Sequence, residues 1–472
     1  YLERLWHLGE ARTGEISPAE RSILLRAGSL LADAYYLLAR PEEAAEMCFA
    51  LSACAVETEK KAEFYGKGLF LMNYRAADSH TTARRERYNA FFGAKVTLPH
   101  TRPQGVPKRK LRIGYLSPDF RRHAVAHFLT PFLRDYSKLD FNVYCYQRGA
   151  ADEVTRRFRR FAAVWRDVSE LTNKETARQI FEDKIDILVD FSGHSQGSCL
   201  PVMALKPAPI QISAIGDIHT TGLREMDYFL SDMTCLPPGK PVRGFTERIA
   251  LLPYCHLCYA PEIIGELPPV GGEPPVVKNG FVTFGSFNNF AKVSRETLLL
   301  WRGVLEALPE ARFIIKGKIA SIPDGRAEVV SRLQDIGIDP ARVELRPYSP
   351  DYLEQYADVD IALDTTPYNG GLTTCEALVM GVPVISLRGT THASRYGATI
   401  LEHAGLPELV AENGAEYVKK ALRVARSLPI LRKFHANLRQ ALRSSRLMDG
   451  SAYMKDMEDL YWGLWRAYCG EG

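Results

Sequence analysis

Apolar runs of strand length alternate with helical stretches in two separate series along this chain. The first series has runs at residues 111–116, 141–146, 185–191 and 210–215, with helical stretches such as 124–136 and 174–183 between them. The second has runs at 281–284, 312–316, 343–345, 359–363 and 382–386, interleaved with helical stretches such as 295–307 and 326–336. Strands joined by helices imply a parallel sheet covered on both faces. Residues 261–279 hold five prolines and three glycines and read as a linker between the two series. A length of 472 residues suits two large domains plus an appendage. The predicted class is α/β, with two doubly wound, Rossmann-like domains at 111–260 and 280–414. In such folds ligands bind at the carboxyl ends of the strands, here in a cleft between the domains.

The flanks differ from the centre. Residues 1–98 read as helical, with apolar residues at helical spacing over 24–38 and 44–56, broken at Arg40-Pro41-Glu42-Glu43. Pro41 suits the first turn of the second helix, with acidic residues favourable beside it. The pair looks tetratricopeptide-like, although a 34-residue period does not clearly recur, so one or two repeats at most are expected. Residues 99–110 form a basic, proline-containing linker. Residues 415–472 turn helical again and are expected to pack back across the domains. The chain opens on Tyr1 rather than Met, so an N-terminal extension is expected to be missing.

Composition narrows the class. A net charge of +4 does not fit a dedicated nucleic-acid binder, and the cluster Arg156-Arg157 with Arg159-Arg160 reads as a solvated helix face. No apolar run reaches the ~18–20 residues of a membrane helix, and no secretory signal opens the chain. Nine irregularly spaced cysteines suit reduced thiols in a cytoplasm. The lone pair in Cys255-His-Leu-Cys258 lacks a second pair of ligands, so no metal is expected.

Chemistry concentrates at the strand ends. Residues 364–376 read Asp-Thr-Thr-Pro-Tyr-Asn-Gly-Gly-Leu-Thr-Thr-Cys-Glu, between an apolar run and a helix expected to start at Thr373 or Thr374. A helix start offers backbone N–H groups and a positive dipole end, a ready phosphate site. Gly370 and Gly371 let a phosphate approach the backbone, with Leu372, Thr373 and Thr374 behind them. Glu376, in the first turn, is expected to face outward toward a ribose or sugar hydroxyl. Lys292, just before a helix, is placed to neutralise a diphosphate leaving group. His123 follows the first strand at the cleft end, with His127 one helical turn on. His123 suits a polar contact or proton transfer. Thr391-His392-Ala-Ser-Arg395 follows a later strand at the same end. Asp358-Val-Asp360 looks like a metal-binding motif but leads straight into an apolar strand and reads as structural.

Taken together, Leu111-Arg-Ile-Gly-Tyr-Leu-Ser-Pro-Asp-Phe with His123, Lys206-Pro-Ala-Pro-Ile-Gln211, Gly280-Phe-Val-Thr-Phe-Gly-Ser-Phe-Asn-Asn289 with Lys292, and Leu363-Asp-Thr-Thr-Pro-Tyr-Asn-Gly-Gly371 resemble the O-GlcNAc transferase/SPINDLY family over roughly 100–472. The resemblance implies a GT-B glycosyltransferase, inverting and metal-independent, without a cofactor, that moves a sugar from a nucleotide donor to a protein or peptide. The donor it points to first is UDP-GlcNAc. GDP-fucose, UDP-glucose with an asparagine acceptor, and an inactive helical-repeat adaptor are the alternatives. Carried over, His123 lies beside donor sugar and acceptor, Lys292 meets the diphosphate, Asn289 faces nucleotide or sugar, Thr373 and the glycine turn hold phosphate, and Glu376 binds ribose. His127, His219, His392 and Arg395 are candidate acceptor or sugar contacts. Three departures stand out, one of them the loop Gly216-Asp-Ile-His219-Thr-Thr-Gly222, which lacks the family's usual Gly-Tyr-Pro beginning. Gly371 replaces a histidine of the animal enzymes, and Tyr352 replaces the histidine that meets the base, so an aromatic ring would stack there instead.

Overall fold

The computed structural model describes residue 6 and residues 17–75, 79–93, 97–239 and 244–470. Helical expectations that fall on residues 1–5, 7–16, 76–78 and 94–96 lie outside the described residues.

Two open sheets form the centre. The first contains β1 (Leu111–Ser117), β2 (Phe141–Gln147), β3 (Val164–Asp167), β4 (Ile187–Asp190), β5 (Ile210–Ser213), β6 (Tyr228–Asp232) and β7 (Arg248–Leu252). Their order is β3-β2-β1-β4-β5-β6-β7, with every pairing parallel. The second contains β8 (Thr283–Ser286), β9 (Arg312–Lys316), β10 (Val343–Arg346), β11 (Ile361–Leu363), β12 (Val384–Leu387) and β13 (Val410–Ala411). Their order is β10-β9-β8-β11-β12-β13, again all parallel.

Both sheets run outward from a central strand and then return to its other side. Ile113 of β1 sits between Val143 of β2 and Ile187 of β4, and Phe284 of β8 sits between Phe313 of β9 and Ile361 of β11. Winding therefore reverses at β1/β4 and at β8/β11, and crevices open beyond the carboxyl ends of those four strands. β1 leads to His123, β8 to Lys292 and β11 to the glycine turn.

Four strands have no counterpart among the sequence-based runs: β3, β6, β7 and β13. β3 is an edge strand with half-exposed side chains at Val164, Trp165 and Arg166, so it has no continuous apolar signature. β13 has only two residues.

The N-terminal helices Pro18–Leu37, Pro41–Cys54 and Thr58–Leu71 form antiparallel hairpins. A Ser17/Glu20 capping box opens the first, and Pro41 takes the first turn of the second. This region touches both sheets' domains. Asn73 Nδ2 donates to Asp217 Oδ1 at 2.9 Å, and the fully buried Arg85 donates to the Leu69 carbonyl at 3.2 Å and to Asn73 Oδ1 at 2.5 Å. On the other side Arg332 donates to the Ala39 carbonyl at 2.8 Å. The last helix, Gly450–Cys469, returns to the first sheet, with Tyr453 edge-on to Phe132 at 5.4 Å and Tyr461 edge-on to Phe141 at 6.3 Å. Among the described residues no helix is long and apolar enough to cross a membrane.

Candidate functional site

Asp364 shapes the turn after β11. Its Oδ1 accepts the backbone N–H groups of Thr365 at 2.8 Å and Gly370 at 2.7 Å, and its Oδ2 accepts the Ser386 hydroxyl at 2.6 Å. The carboxylate thus folds residues 364–370 back on themselves and ties them to β12. Burial pushes its pKa up, while these donors oppose the shift. The helix that follows, Leu372–Val379, begins one residue before the sequence-based start.

Close approach demands a glycine at one of the two positions. A Cβ on Gly370 would lie 2.5 Å from Thr373 Oγ1, 2.9 Å from Thr374 Oγ1 and 3.0 Å from Asn288 Oδ1. A Cβ on Gly371 would meet nothing nearer than Tyr396 Cδ1 at 3.7 Å, an ordinary contact. The hydroxyls complete the turn: Thr374 donates to the Gly370 carbonyl at 2.9 Å and Thr373 to Asn288 Oδ1 at 2.8 Å.

Lys292 ends the short turn Phe290–Lys292 after β8 and reaches the same place. Its Nζ donates to the Asn369 carbonyl at 3.0 Å and stands 3.7 Å from the centre of the Tyr368 ring. Burial lowers its pKa to about 8, against the pull of the Asp364 carboxylate. A cation, a tight turn and a helix start therefore converge. Ser286, Asn288, Asp364, Thr373 and Thr374 line one cavity there.

Two expectations for this site change. Asn288, not Asn289, faces the turn. Asn289 is exposed and donates through Nδ2 to the Tyr36 hydroxyl at 2.7 Å, toward the helical region. Glu376 does not face outward: it is 3% exposed and accepts the Tyr352 hydroxyl. Burial raises its pKa to about 8, with the Tyr352 hydrogen bond working the other way. Tyr352 is half-buried and stacks on the exposed Tyr348 at 6.2 Å, an aromatic pair at the rim. Of the residues that sequence reasoning left without a role, Asp364 had a signal, an aspartate opening a turn with glycine six residues on. Asn288 had none that set it apart from its neighbour.

The histidines divide into two groups. His123 is half-exposed, and its Nδ1 lies 3.4 Å from Asp119 Oδ2 and accepts the Val125 N–H at 3.3 Å. Burial, with Arg121 nearby, lowers its pKa to about 4, and burial raises that of Asp119 to about 6. His127 is buried, stacked on Tyr259 at 5.8 Å, and is held neutral by burial with a pKa of about 4. His219 stacks on Phe245 at 5.2 Å, and its Nδ1 accepts the Thr220 N–H at 2.8 Å. His392 is 3% exposed, with Nδ1 on the Ile218 carbonyl at 3.0 Å. Arg395 donates to the carbonyls of Gly389 at 2.9 Å and Thr234 at 3.0 Å. His392 and Arg395 thus seal the seam between the domains instead of presenting polar atoms to the cleft. Asp358-Val-Asp360 is structural: Asp358 pairs with Arg346, and Asp360 accepts the backbone N–H groups of Val276 and Thr283.

Two facing doubly wound domains, with a lysine and a glycine turn at the switch point of the second, are the GT-B glycosyltransferase fold. The chain belongs to glycosyl transferase family 41, whose pattern matches residues 74–259 and 276–457. A solved structure of a mutant Thermobaculum terrenum O-GlcNAc transferase superposes with a TM-score of 0.86 at 32% identity, covering 94% of this chain and 85% of that one. Proteins named probable UDP-N-acetylglucosamine–peptide N-acetylglucosaminyltransferase SPINDLY are similar too. Those of Solanum lycopersicum and Arabidopsis thaliana are each 38% identical over 77% of this chain. The chain spans about 40% of the length of these plant relatives.

Proposed function

We propose that this chain is an inverting protein glycosyltransferase that moves GlcNAc from UDP-GlcNAc to a Ser or Thr hydroxyl. The observation that carries the reading is Lys292 Nζ, seated on the glycine turn beside the start of the helix Leu372–Val379. A diphosphate bound there would hold Lys292 in its charged form and meet helix N-terminal N–H groups. The names of the relatives supply the donor and the peptide acceptor.

In the reaction the acceptor oxygen forms a bond to the anomeric carbon as the bond to the diphosphate breaks, and UDP leaves with the electron pair. Lys292 stabilises the negative charge that grows on the leaving group, with no metal required at the diphosphate. His123 orients the incoming hydroxyl. With a pKa of about 4 it is a weak base at neutral pH, so the hydroxyl proton passes to solvent or to the departing phosphate. Tyr352, at the rim, stacks on the base, and Glu376 becomes available to ribose when the Tyr352 hydroxyl releases it.

The same reading divides the chain into a tetratricopeptide-like region at 1–98 that guides the acceptor, catalytic and donor-binding domains at 111–260 and 280–414 joined by the linker 261–279, and bracing helices at 415–472. It places the protein in the cytoplasm. A thermal-shift panel of UDP, GDP, UDP-GlcNAc, UDP-glucose and GDP-fucose tests the donor, since a ligand of the native state raises Tm. UDP and UDP-GlcNAc should give the largest rise. A rise with GDP and GDP-fucose alone would replace the donor, and no rise with any of the five would remove the nucleotide site.

A further inference from the structure

Behind the glycine turn, three buried metal-ligating side chains from three separate segments meet. Cys235 follows β6, His256 follows β7 at the centre of Cys255-His-Leu-Cys258, and His392 follows β12 in the second domain. They are 1%, 0% and 3% exposed. The Cys235 sulfur and one ring nitrogen from each histidine all lie within 4.8 Å of one another.

Hydrogen bonding fixes what the two rings present. His256 Nδ1 lies 2.5 Å from Asp232 Oδ2, and that carboxylate also takes the N–H groups of Thr234, Cys235 and His256 and the hydroxyl of Thr399. His392 Nδ1 lies 3.0 Å from the Ile218 carbonyl. A carboxylate and a carbonyl only accept, so both rings carry a proton on Nδ1, which leaves Nε2 as the ring atom open to another partner. Both Nε2 atoms are buried and without a hydrogen-bond partner. Two orphaned ring nitrogens beside a thiol are costly in a protein interior. A ring nitrogen held by a carboxylate or carbonyl, with the other aimed at a shared centre, is the arrangement that orients histidine ligands on a metal.

We propose that Cys235, His256 and His392 bind a zinc ion that joins the two domains. One sulfur and two imidazole nitrogens suit zinc's tetrahedral preference, with water in the fourth position. Ligand atoms around such an ion lie roughly 3.3–3.8 Å apart, so the cluster contracts slightly on binding. Cys235 loses its proton to solvent as the bond to the metal forms. The ion ties the end of the first sheet to the loop after β12. The Tyr396 ring carries this contact onward, standing 5.1 Å from the His256 ring and 5.3 Å from the His392 ring, with Cδ1 against Gly371. The centre braces the donor turn from behind, and its role is structural. This inference does not depend on which sugar is transferred, or on transfer at all.

The test uses the whole purified chain, stripped with a chelator, desalted, and titrated with Zn²⁺ against a chromophoric chelator and separately with Co²⁺. One equivalent of zinc should bind per chain, Co²⁺ should develop a thiolate charge-transfer band, and Zn²⁺ should raise Tm. Cys235→Ala, which changes little volume, and His392→Phe should each lose the stoichiometric binding and the Tm rise, with folding checked by circular dichroism. Cys258→Ala should retain both. A folded wild-type chain that takes up no zinc, or unchanged binding in Cys235→Ala, would overturn the proposal.

Discussion

Glu376 and Lys292 both titrate near pH 8 by burial, and their effects on stability have opposite signs. The Glu376 pKa is raised from 4.5 to about 8, so the folded state prefers its neutral form. Its contribution is fully present below pH 4.5 and is lost as pH rises through 8. The Lys292 pKa is lowered from 10.5 to about 8, so its contribution is present above 10.5 and is lost as pH falls through 8. Glu376→Gln keeps the shape and removes the charge. Urea unfolding of this variant and the wild type from pH 5 to pH 8 should show the variant gaining ground with pH, by up to a few kcal/mol. A difference that stays flat over that window would mean that Glu376 is not buried as a neutral acid.

The glycine turn is the element that local sequence described best. Strand, turn and helix all lie within residues 359–380, and the helix begins within one residue of its expected start. Its two glycines are not equivalent, and substitution should separate them. Gly370→Ala drives a methyl into Thr373 and Thr374 and should cost about 1–3 kcal/mol of stability, along with nucleotide affinity. Gly371→Ala, with its nearest neighbour at 3.7 Å, should change stability by no more than ~0.5 kcal/mol. Chemical denaturation and a UDP titration of both variants check this, and equal losses would contradict it.

Legibility stopped where direction depends on distant parts of the chain. Beyond the end of β8 the alternation lapses, and nothing in Asn288-Asn289 says which side chain turns inward. A place in the first helical turn predicts Glu376 at the surface, but Tyr352 and the packing around it enclose the carboxylate. The histidines show the same limit. His392 follows a strand at the cleft end, as expected, yet its ring is drawn into the seam by Ile218 and by a cluster whose members lie up to 157 positions apart in sequence. In the Cys-His-Leu-Cys motif the cysteine spacing is the metal-like feature, whereas it is the histidine, His256, that joins that cluster.

At the scale of the whole molecule, the helical region and the second domain meet over the candidate donor turn. Tyr36 shares a hydrogen bond with Tyr74 at 2.8 Å and accepts from Asn289, and Tyr74 packs on Tyr368 of the turn at 5.3 Å. Lys292 lies over the other part of that contact, against the same Tyr368 ring. Under the proposed function, an acceptor guided along the helices would arrive beside the turn that Lys292 and Tyr368 form, and His123, which follows β1 of the first domain, is the candidate to meet its hydroxyl.

The proposed reaction is transfer of a nucleotide-activated sugar to protein hydroxyls, with Lys292 supporting the leaving group. Incubating the wild type and Lys292→Ala with UDP-GlcNAc and a mixture of protein acceptors, then mapping the products by mass spectrometry, tests it most directly. A HexNAc mass increment on Ser or Thr is expected with the wild type. With a folded Lys292→Ala chain, kcat should fall by roughly 10²–10³, the size of effect that removing one such electrostatic partner has elsewhere. Transfer only to free sugar or lipid, or near-normal turnover in Lys292→Ala, would contradict it.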